Sequence, residues 1–376
     1  MAHLTPPFRA DQVGSLLRSK VLAEARAKRE QSRLSASRLQ EIEDHEIKLL
    51  IKKQEDIGLD AITDGEYRRA WWHYDFLGML DGVSIQPSTQ GIQFQGVQTK
   101  SVAPIVYGKI SWPGTHPFLE HFKFLKANTK KTPKMMIPSP SMLYYRGTRA
   151  MFEGVYENIE DYYRDMGEAF ALCVSDFYKA GCGYLQLDDV SFAYLCDPKQ
   201  REMLTGRGDD PNELRDRNIK MINDAIKDRP KDMVITMHLC RGNFRSTFVA
   251  SGGYEPIAEP LFNQLDIDGY FLEYDNDRSG GFEPLRFLPK GKKAVLGLIT
   301  TKTGTLESRD QILRRIEEAS KFAAVEQLCL SPQCGFASTE EGNALAESEQ
   351  WKKLELIVSI ADEVWGTTKQ PALKRA

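Results

Sequence analysis

Seven compact apolar runs punctuate this chain, and each is followed by a longer stretch with helical spacing. They cover residues 59–66, 134–140, 184–190, 234–240, 269–275, 294–301 and 328–334. Each is apolar with little alternation and ends in polar or glycine residues, the pattern of a strand buried on both faces. Strands separated by helical stretches pair in parallel, because a parallel neighbour can be reached only by a long crossover. An eighth run, 8–14 (FRADQVG), precedes the first helical stretch. Eight such units predict an α/β fold of the (β/α)8 TIM-barrel type rather than an open sheet.

The helical stretches fit that plan. Residues 37–57 start with Ser37 and Gln40 at capping-box spacing, carry Leu39, Ile42, Leu49 and Leu50, and stop at Gly58. A second long amphipathic run, 157–180, closes at Gly181, and further helices are predicted near 211–228, 308–323 and 344–364. One stretch breaks the pattern: 84–112, with GIQFQGVQ and VYGKISW, reads as a hairpin inserted after the second strand. The sequence has no internal repeat, and only the tail 366–376 reads as loose. The expectation is one barrel domain over 1–376.

Composition narrows the function classes. Lys plus Arg number 50 against 53 for Asp plus Glu, a net charge of −3 that offers no electrostatic footprint for nucleic acid or an anionic membrane. No run approaches the ~20 apolar residues of a membrane span, and the N-terminus lacks the basic start and apolar core of a secretory signal. Six cysteines in such a chain read as reduced thiols, core fillers or metal ligands, and the expected location is the cytoplasm.

The chemistry should lie where barrel strands end, since the C-terminal face of a (β/α) barrel carries the active site. The fifth run ends in His238-Leu-Cys240, with the two polar residues on one side by period-two alternation. The sixth ends Glu273-Tyr-Asp275 and the eighth Ser331-Pro-Gln-Cys334-Gly335. One imidazole, two thiolates and a carboxylate make a set that suits zinc, a borderline-soft ion that accepts N, S and O ligands in a tetrahedron. An H-x-C pair alone is as readily core packing; the later Glu and Cys give it weight. Zinc would also make a nucleophile of a substrate thiol whose free pKa is about 8.5.

These residues resemble the catalytic C-terminal half of the cobalamin-independent methionine synthase family, particularly its short single-barrel members. The likeness runs through Arg9-Ala-Asp11-Gln-Val-Gly14-Ser15, Asp64-Gly65-Glu66, Leu185-Gln-Leu-Asp188-Asp189, His238-Leu-Cys240, Glu273 and Ser331-Pro-Gln-Cys334-Gly335, over roughly residues 8–365. The resemblance implies zinc held by His238, Cys240, Glu273 and Cys334, and methylation of the homocysteine thiol from a methyl-folate. It implies an amino-acid substrate held by Ser15, Glu66 and Asp188. That assignment makes chemical sense, because a zwitterion needs carboxylates for its ammonium and N–H or O–H donors for its carboxylate. Two departures stand out. The second, N-terminal barrel of full-length methionine synthase has no counterpart here, and the seventh run, Leu298-Ile-Thr-Thr301-Lys302-Thr, lacks the family's histidine. Lys302 is left as the candidate proton donor, and the donor stays open between 5-methyltetrahydrofolate, a simpler methyl donor and a corrinoid protein.

Lesser signals carry paired readings. Asp189 and Asp64 are expected to be structural. Trp71-Trp72-His73-Tyr74 roofs a flat donor or packs under a loop. Arg241 and Arg245 clamp an anionic group or form surface ion pairs. Cys329, Cys173 and Cys182 read as packing, His45 and His121 as surface residues. The expected partners are a small thiol and a methyl donor, with homo-oligomerisation open. Two rival functions remain: a zinc barrel that joins coenzyme M to an epoxide, and a non-catalytic barrel that binds a thiol or zinc. The related uroporphyrinogen decarboxylases share the barrel type but give no reason for this ligand set.

Overall fold

In the computed structural model, residues 5–147 and 149–366 are described. The strands in chain order are β1 (Ala61–Ile62), β2 (Asp81–Pro87), β3 (Gln93–Phe94), β4 (Val97–Gln98), β5 (Val102–Ser111), β6 (Thr132–Pro133), β7 (Met135–Pro138), β8 (Tyr184–Asp189), β9 (Val234–Leu239), β10 (Gly269–Glu273), β11 (Lys293–Ile299) and β12 (Leu328–Pro332). Strands β7 to β12 form one six-stranded sheet, parallel throughout and neighboured in sequence order. Every residue of β7, β8, β10 and β12 is buried, the signature of a sheet covered on both faces.

On one flank β6 runs almost directly into β7 and pairs in parallel with β1. On the other, Ala10 makes a parallel bridge to Leu330. The first and second predicted runs therefore correct two expectations. Residues 8–14 form no strand, only that bridge, and 59–66 shrinks to Ala61–Ile62. Among the described residues the expected closed eight-strand ladder does not form. Gly14 at φ +131° takes the chain out of an extended conformation just where the ladder to β1 would run.

Side chains do the joining there instead. Gln12 Nε2 donates to the Ala61 carbonyl (3.0 Å), Thr63 Oγ1 to the Gly14 carbonyl (2.7 Å), and the Leu16 amide to the Gly65 carbonyl (3.1 Å). Beneath them Asp11 and Lys134, both with fully buried side chains, pair at 3.1 Å, and Tyr184 OH donates to Asp11 at 2.9 Å. This plug ties the first segment to β8 and to the link between β6 and β7.

The helices stand close to their expected places. Ala36–Asp56 is capped by Ser35, whose side chain accepts from the Arg38 amide, so the predicted cap at Ser37 is displaced by two residues. It buries Ile47, Leu50 and Ile51, each such side chain contributing about 1.5–3 kcal/mol when fully withdrawn from water. Ile159–Lys179, Pro211–Ile226, Arg309–Ser320 and Glu347–Trp365 complete the outer layer that bears on the sheet. Between β1 and β6, β2 and β5 form an antiparallel ribbon whose tip carries the small β3–β4 hairpin. The predicted loose tail lies outside the described residues from 367 onward.

Candidate metal centre

Three strands of the six-stranded sheet aim at one point. His238 belongs to β9, with Cys240 just beyond its end, Glu273 ends β10, and Cys334 follows β12. Their ligand atoms all lie within 4.8 Å of one another, and all four residues are buried. The two sulfurs are 3.6 Å apart. A zinc tetrahedron with bonds of about 2.0–2.3 Å has edges of roughly 3.3–3.8 Å, so the span is within a small contraction of that shape.

The residues present fit such an ion on their own hydrogen bonding. Neither ring nitrogen of His238 is held by a conventional hydrogen bond, although the residue is 2% exposed. An orphaned buried imidazole is costly unless something takes its lone pair. Glu273 is oriented from outside: Oε1 accepts from the Arg241 amide (2.9 Å) and Oε2 from Arg278 (2.8 Å). Burial would raise its carboxyl, but Arg278 first, then Lys302 and His238, outweigh that and hold it below its usual range. The hydrogen bond between the two thiols and burial push Cys240 well up, and the same bond with His238 beside it holds Cys334 well down. Burial alone would depress His238, yet the Cys334 sulfur, Asp188 and Glu273 together raise it. One imidazole, two sulfurs and one carboxylate thus face a single point.

His238, Cys240 and Cys334 open into a narrow cleft of about 590 Å³ that is also lined by Ser15, Glu66, Asp188, Trp71, Trp72 and His73. Glu66 and Asp188 are its acids. Burial pushes Glu66 up to about 7 despite the Arg69 guanidinium 3.1 Å away, and its Oε2 has no hydrogen-bond partner among the described residues. Asp188 is pushed up to about 6 by burial, against the opposing pull of His238 and a 2.7 Å hydrogen bond from Gln186. Ser15 follows Gly14, where a Cβ would meet the Met136 side chain at 2.5 Å. Asp189 points the other way and accepts from Ser141, Ser191 (2.9 Å) and the Phe192 amide (2.9 Å). Asp64 accepts from the Glu66 amide at 2.9 Å and shapes the turn.

Two sequence-predicted residues lie elsewhere. Arg241 does not line the cleft; its side chain is fully buried with the guanidinium 4.4 Å from the centroid of the Tyr254 ring, and it serves the site through its backbone amide. Lys302 is also absent from the cleft wall. Its ammonium donates to Asn243 Oδ1 (3.0 Å), the Thr247 carbonyl (3.2 Å) and the Gly242 carbonyl (3.4 Å), which engages all three N–H groups. Asn243 in turn donates to the Gly335 carbonyl (2.7 Å) and Ser338 (3.3 Å), and accepts from Asn343 (2.9 Å). The loop after Cys240 is thereby clamped to the loop after Cys334, with Lys302 fastening the clamp. Neither Asn243 nor Arg278 announced itself in the sequence, because a clamp and an orienting cation have no motif of their own. The ribbon tip contributes Ile92, Phe94 and Thr99 to the cleft, a contribution legible only once the insertion is folded.

A model of the catalytic domain of the cobalamin-independent synthases matches residues 8–362. The chain belongs to that family. It is 51% identical over 361 residues to YxjH of Bacillus subtilis, a protein named as uncharacterized, covering 96% of this chain and 95% of the relative. A Listeria monocytogenes protein described as a candidate vitamin-B12 independent methionine synthase shares 42% identity at a TM-score of 0.76, over 96% of this chain and 99% of that one. The 5-methyltetrahydropteroyltriglutamate–homocysteine methyltransferase of Thermosynechococcus vestitus is 24% identical over 88% of this chain, which spans 40% of that enzyme. The α/β fold of the family is thus the fold of this chain. Among the described residues no helix is long and apolar enough to cross a membrane.

Proposed function

We propose that this protein methylates the thiol of homocysteine to give methionine, with zinc held by His238, Cys240, Glu273 and Cys334 and a 5-methyltetrahydropteroyl compound as donor. The observation that carries the reading is the convergence of those four ligand atoms within 4.8 Å at one end of a cleft that also holds Glu66 and Asp188. The eight strand and strand-like segments, read with the family, make a single (β/α)8 barrel whose C-terminal face is this cleft.

When bound, zinc supplies Lewis acidity that keeps a thiol sulfur anionic and nucleophilic at neutral pH. The protein's own residues do the rest. Glu66 and Asp188 receive the substrate ammonium, which favours their ionised forms, and Ser15 offers a hydroxyl to its carboxylate. Arg278 and the Arg241 amide fix Glu273, and the Lys302–Asn243 clamp fixes the separation of Cys240 and Cys334. Trp71 and Trp72 wall the side of the cleft on which a flat donor stacks, excluding water from the methyl carbon. The same pair of carboxylates disfavours the coenzyme M alternative, because a sulfonate would face two acids.

The test is to incubate zinc-loaded protein with homocysteine and 5-methyltetrahydropteroyltriglutamate and to measure methionine by mass spectrometry. Wild type should form methionine and Cys240→Ser none. Full product from Cys240→Ser, or methylation of coenzyme M but not homocysteine, would overturn the reading.

A further inference from the structure

Arg241 carries a charge that the proposed reaction does not use. Its side chain is fully buried, with the guanidinium 4.4 Å from the centroid of the Tyr254 ring. None of its three nitrogens has a conventional hydrogen-bond partner among the described residues. The carboxylates at the end of β10 are engaged elsewhere, since Arg278 holds Glu273 at 2.8 Å and Asp275 at 3.0 Å. Cys196 lies beside the guanidinium, but burial pushes that thiol up to about 11, so it stays neutral. An arginine does not shed its proton in a protein, and a ring face seats the cation without an anion. Sealed from water, such a charge acts more strongly on its neighbours than it would in solvent.

Those neighbours are the metal ligands. Arg241 directly follows Cys240, and its backbone amide donates to Glu273 Oε1 at 2.9 Å. The ring partner closes the circuit, because Tyr254 OH accepts from the Glu273 amide at 2.9 Å. Two thiolates and a carboxylate exceed the charge of a divalent ion, and a substrate thiolate would widen the excess. Inside a protein such an excess is costly unless a cation offsets it. Arg278 is neutralised by its two carboxylates, and three oxygens solvate the Lys302 ammonium. Of these three cations Arg241 alone has no acceptor.

We propose that Arg241 is a positioning residue: its unpaired guanidinium supplies the positive charge that lets a substrate sulfur bind at this metal centre as the anion, at some loss of affinity for the ion itself. The inference rests on the reading that His238, Cys240, Glu273 and Cys334 hold zinc. The binding step balances, since the thiol proton passes to solvent and the sulfur keeps the electron pair that it brings to the ion. Its consequence has a sign that packing alone does not give. Removing a cation tightens the hold on a divalent ion and weakens the hold on a thiolate, whereas a loosened site loses both.

The experiment compares the zinc-loaded full chain as wild type, Arg241→Met and Arg241→Lys. Each substitution keeps the backbone amide, and with it the bond to Glu273. Chelator competition reads zinc affinity, and calorimetry in buffers of different ionisation heat reads thiol affinity and proton release. The probes are homocysteine and 2-mercaptoethanol; the second has no ammonium, so its response is independent of Glu66 and Asp188 and of methionine formation. Wild type should release one proton per 2-mercaptoethanol bound. Arg241→Met should bind zinc at least as tightly as wild type and both thiols about tenfold more weakly, and Arg241→Lys should recover most of that loss. Arg241→Gln repeats the loss of charge should Arg241→Met not fold. Thiol binding without proton release, binding of neither thiol by wild type, or thiol affinity unchanged in the neutral variant overturns the inference. So does a parallel loss of zinc and thiol affinity, or Arg241→Lys no better than Arg241→Met. A chain that takes up no zinc removes the metal reading and the inference together; zinc uptake with any of those other results removes the inference alone.

Discussion

Glu66 stands at φ +60°, directly after Gly65 at φ +64°, two consecutive left-handed residues in a turn held by Asp64. A glutamate rarely takes that conformation, which costs of order 1 kcal/mol or more, and here it delivers a carboxylate into a buried cleft. Burial raises Glu66 to about 7 and Asp188 to about 6, so in the ligand-free protein both hold a proton to a higher pH than an exposed carboxyl does. Their contribution to stability is fully present below the unfolded values of about 4 and is lost as pH rises through 6 to 7. A bound ammonium reverses the preference. Homocysteine affinity, measured by calorimetry, should therefore climb as pH rises through 6 to 7 and level off above; a flat profile would remove these acids from the site. Glu66→Gln should weaken binding by roughly tenfold to a hundredfold. Lys302 gives a second residue-scale prediction. As a clamp rather than a proton donor, Lys302→Met should lower zinc affinity about tenfold in a chelator competition while leaving the shape of the pH–rate profile unchanged. Loss of the acid limb with zinc affinity intact would restore the proton-donor role.

Among the elements, the buried strands were the most legible in the sequence. The runs containing β7 to β12 were each visible as an apolar stretch with a polar end, and His238, Cys240, Glu273 and Cys334 stood at those ends. The segment 8–14 was misread because its apolar residues, Phe8, Ala10 and Val13, are buried by side-chain bonding at the sheet margin rather than by a ladder. Arg146, Arg278 and Asn243 escape the sequence for another reason: Arg146 ends the short helix Ser141–Arg146, Arg278 lies in a single 3-10 turn and Asn243 in a loop, segments too short for periodicity to mark a residue, and only the folded chain brings them to the site. The ribbon was recognised as an insertion, but not as a wall of the cleft. Replacing residues 88–101 by a short turn should leave zinc content unchanged and weaken donor binding about tenfold, because Ile92, Phe94 and Thr99 leave the cleft with it. Fluorescence titration of the shortened protein decides the point; donor affinity equal to wild type would contradict the role given to the tip.

At the scale of the whole molecule, a charged plug does the work that a closed ladder would otherwise do. Asp11 and Lys134 lie fully buried, with Lys134 4.0 Å from the Phe271 ring centroid and Tyr184 bonded to Asp11. Removing one member leaves the other charge uncompensated, so Lys134→Met should cost about 3–5 kcal/mol in chemical unfolding. A loss below about 1 kcal/mol would mean that the first segment is held by something else. The metal centre lies at the opposite ends of the strands, where β9, β10 and β12 are drawn together by ligands far apart in sequence. The central claim is that these ligands hold zinc with room for a substrate thiol. X-ray absorption at the zinc edge, on purified protein before and after adding homocysteine, tests it most directly. The account predicts one zinc per chain with two sulfur ligands, rising to three with homocysteine. A protein that binds no zinc, or a sulfur count unchanged by homocysteine, would contradict it.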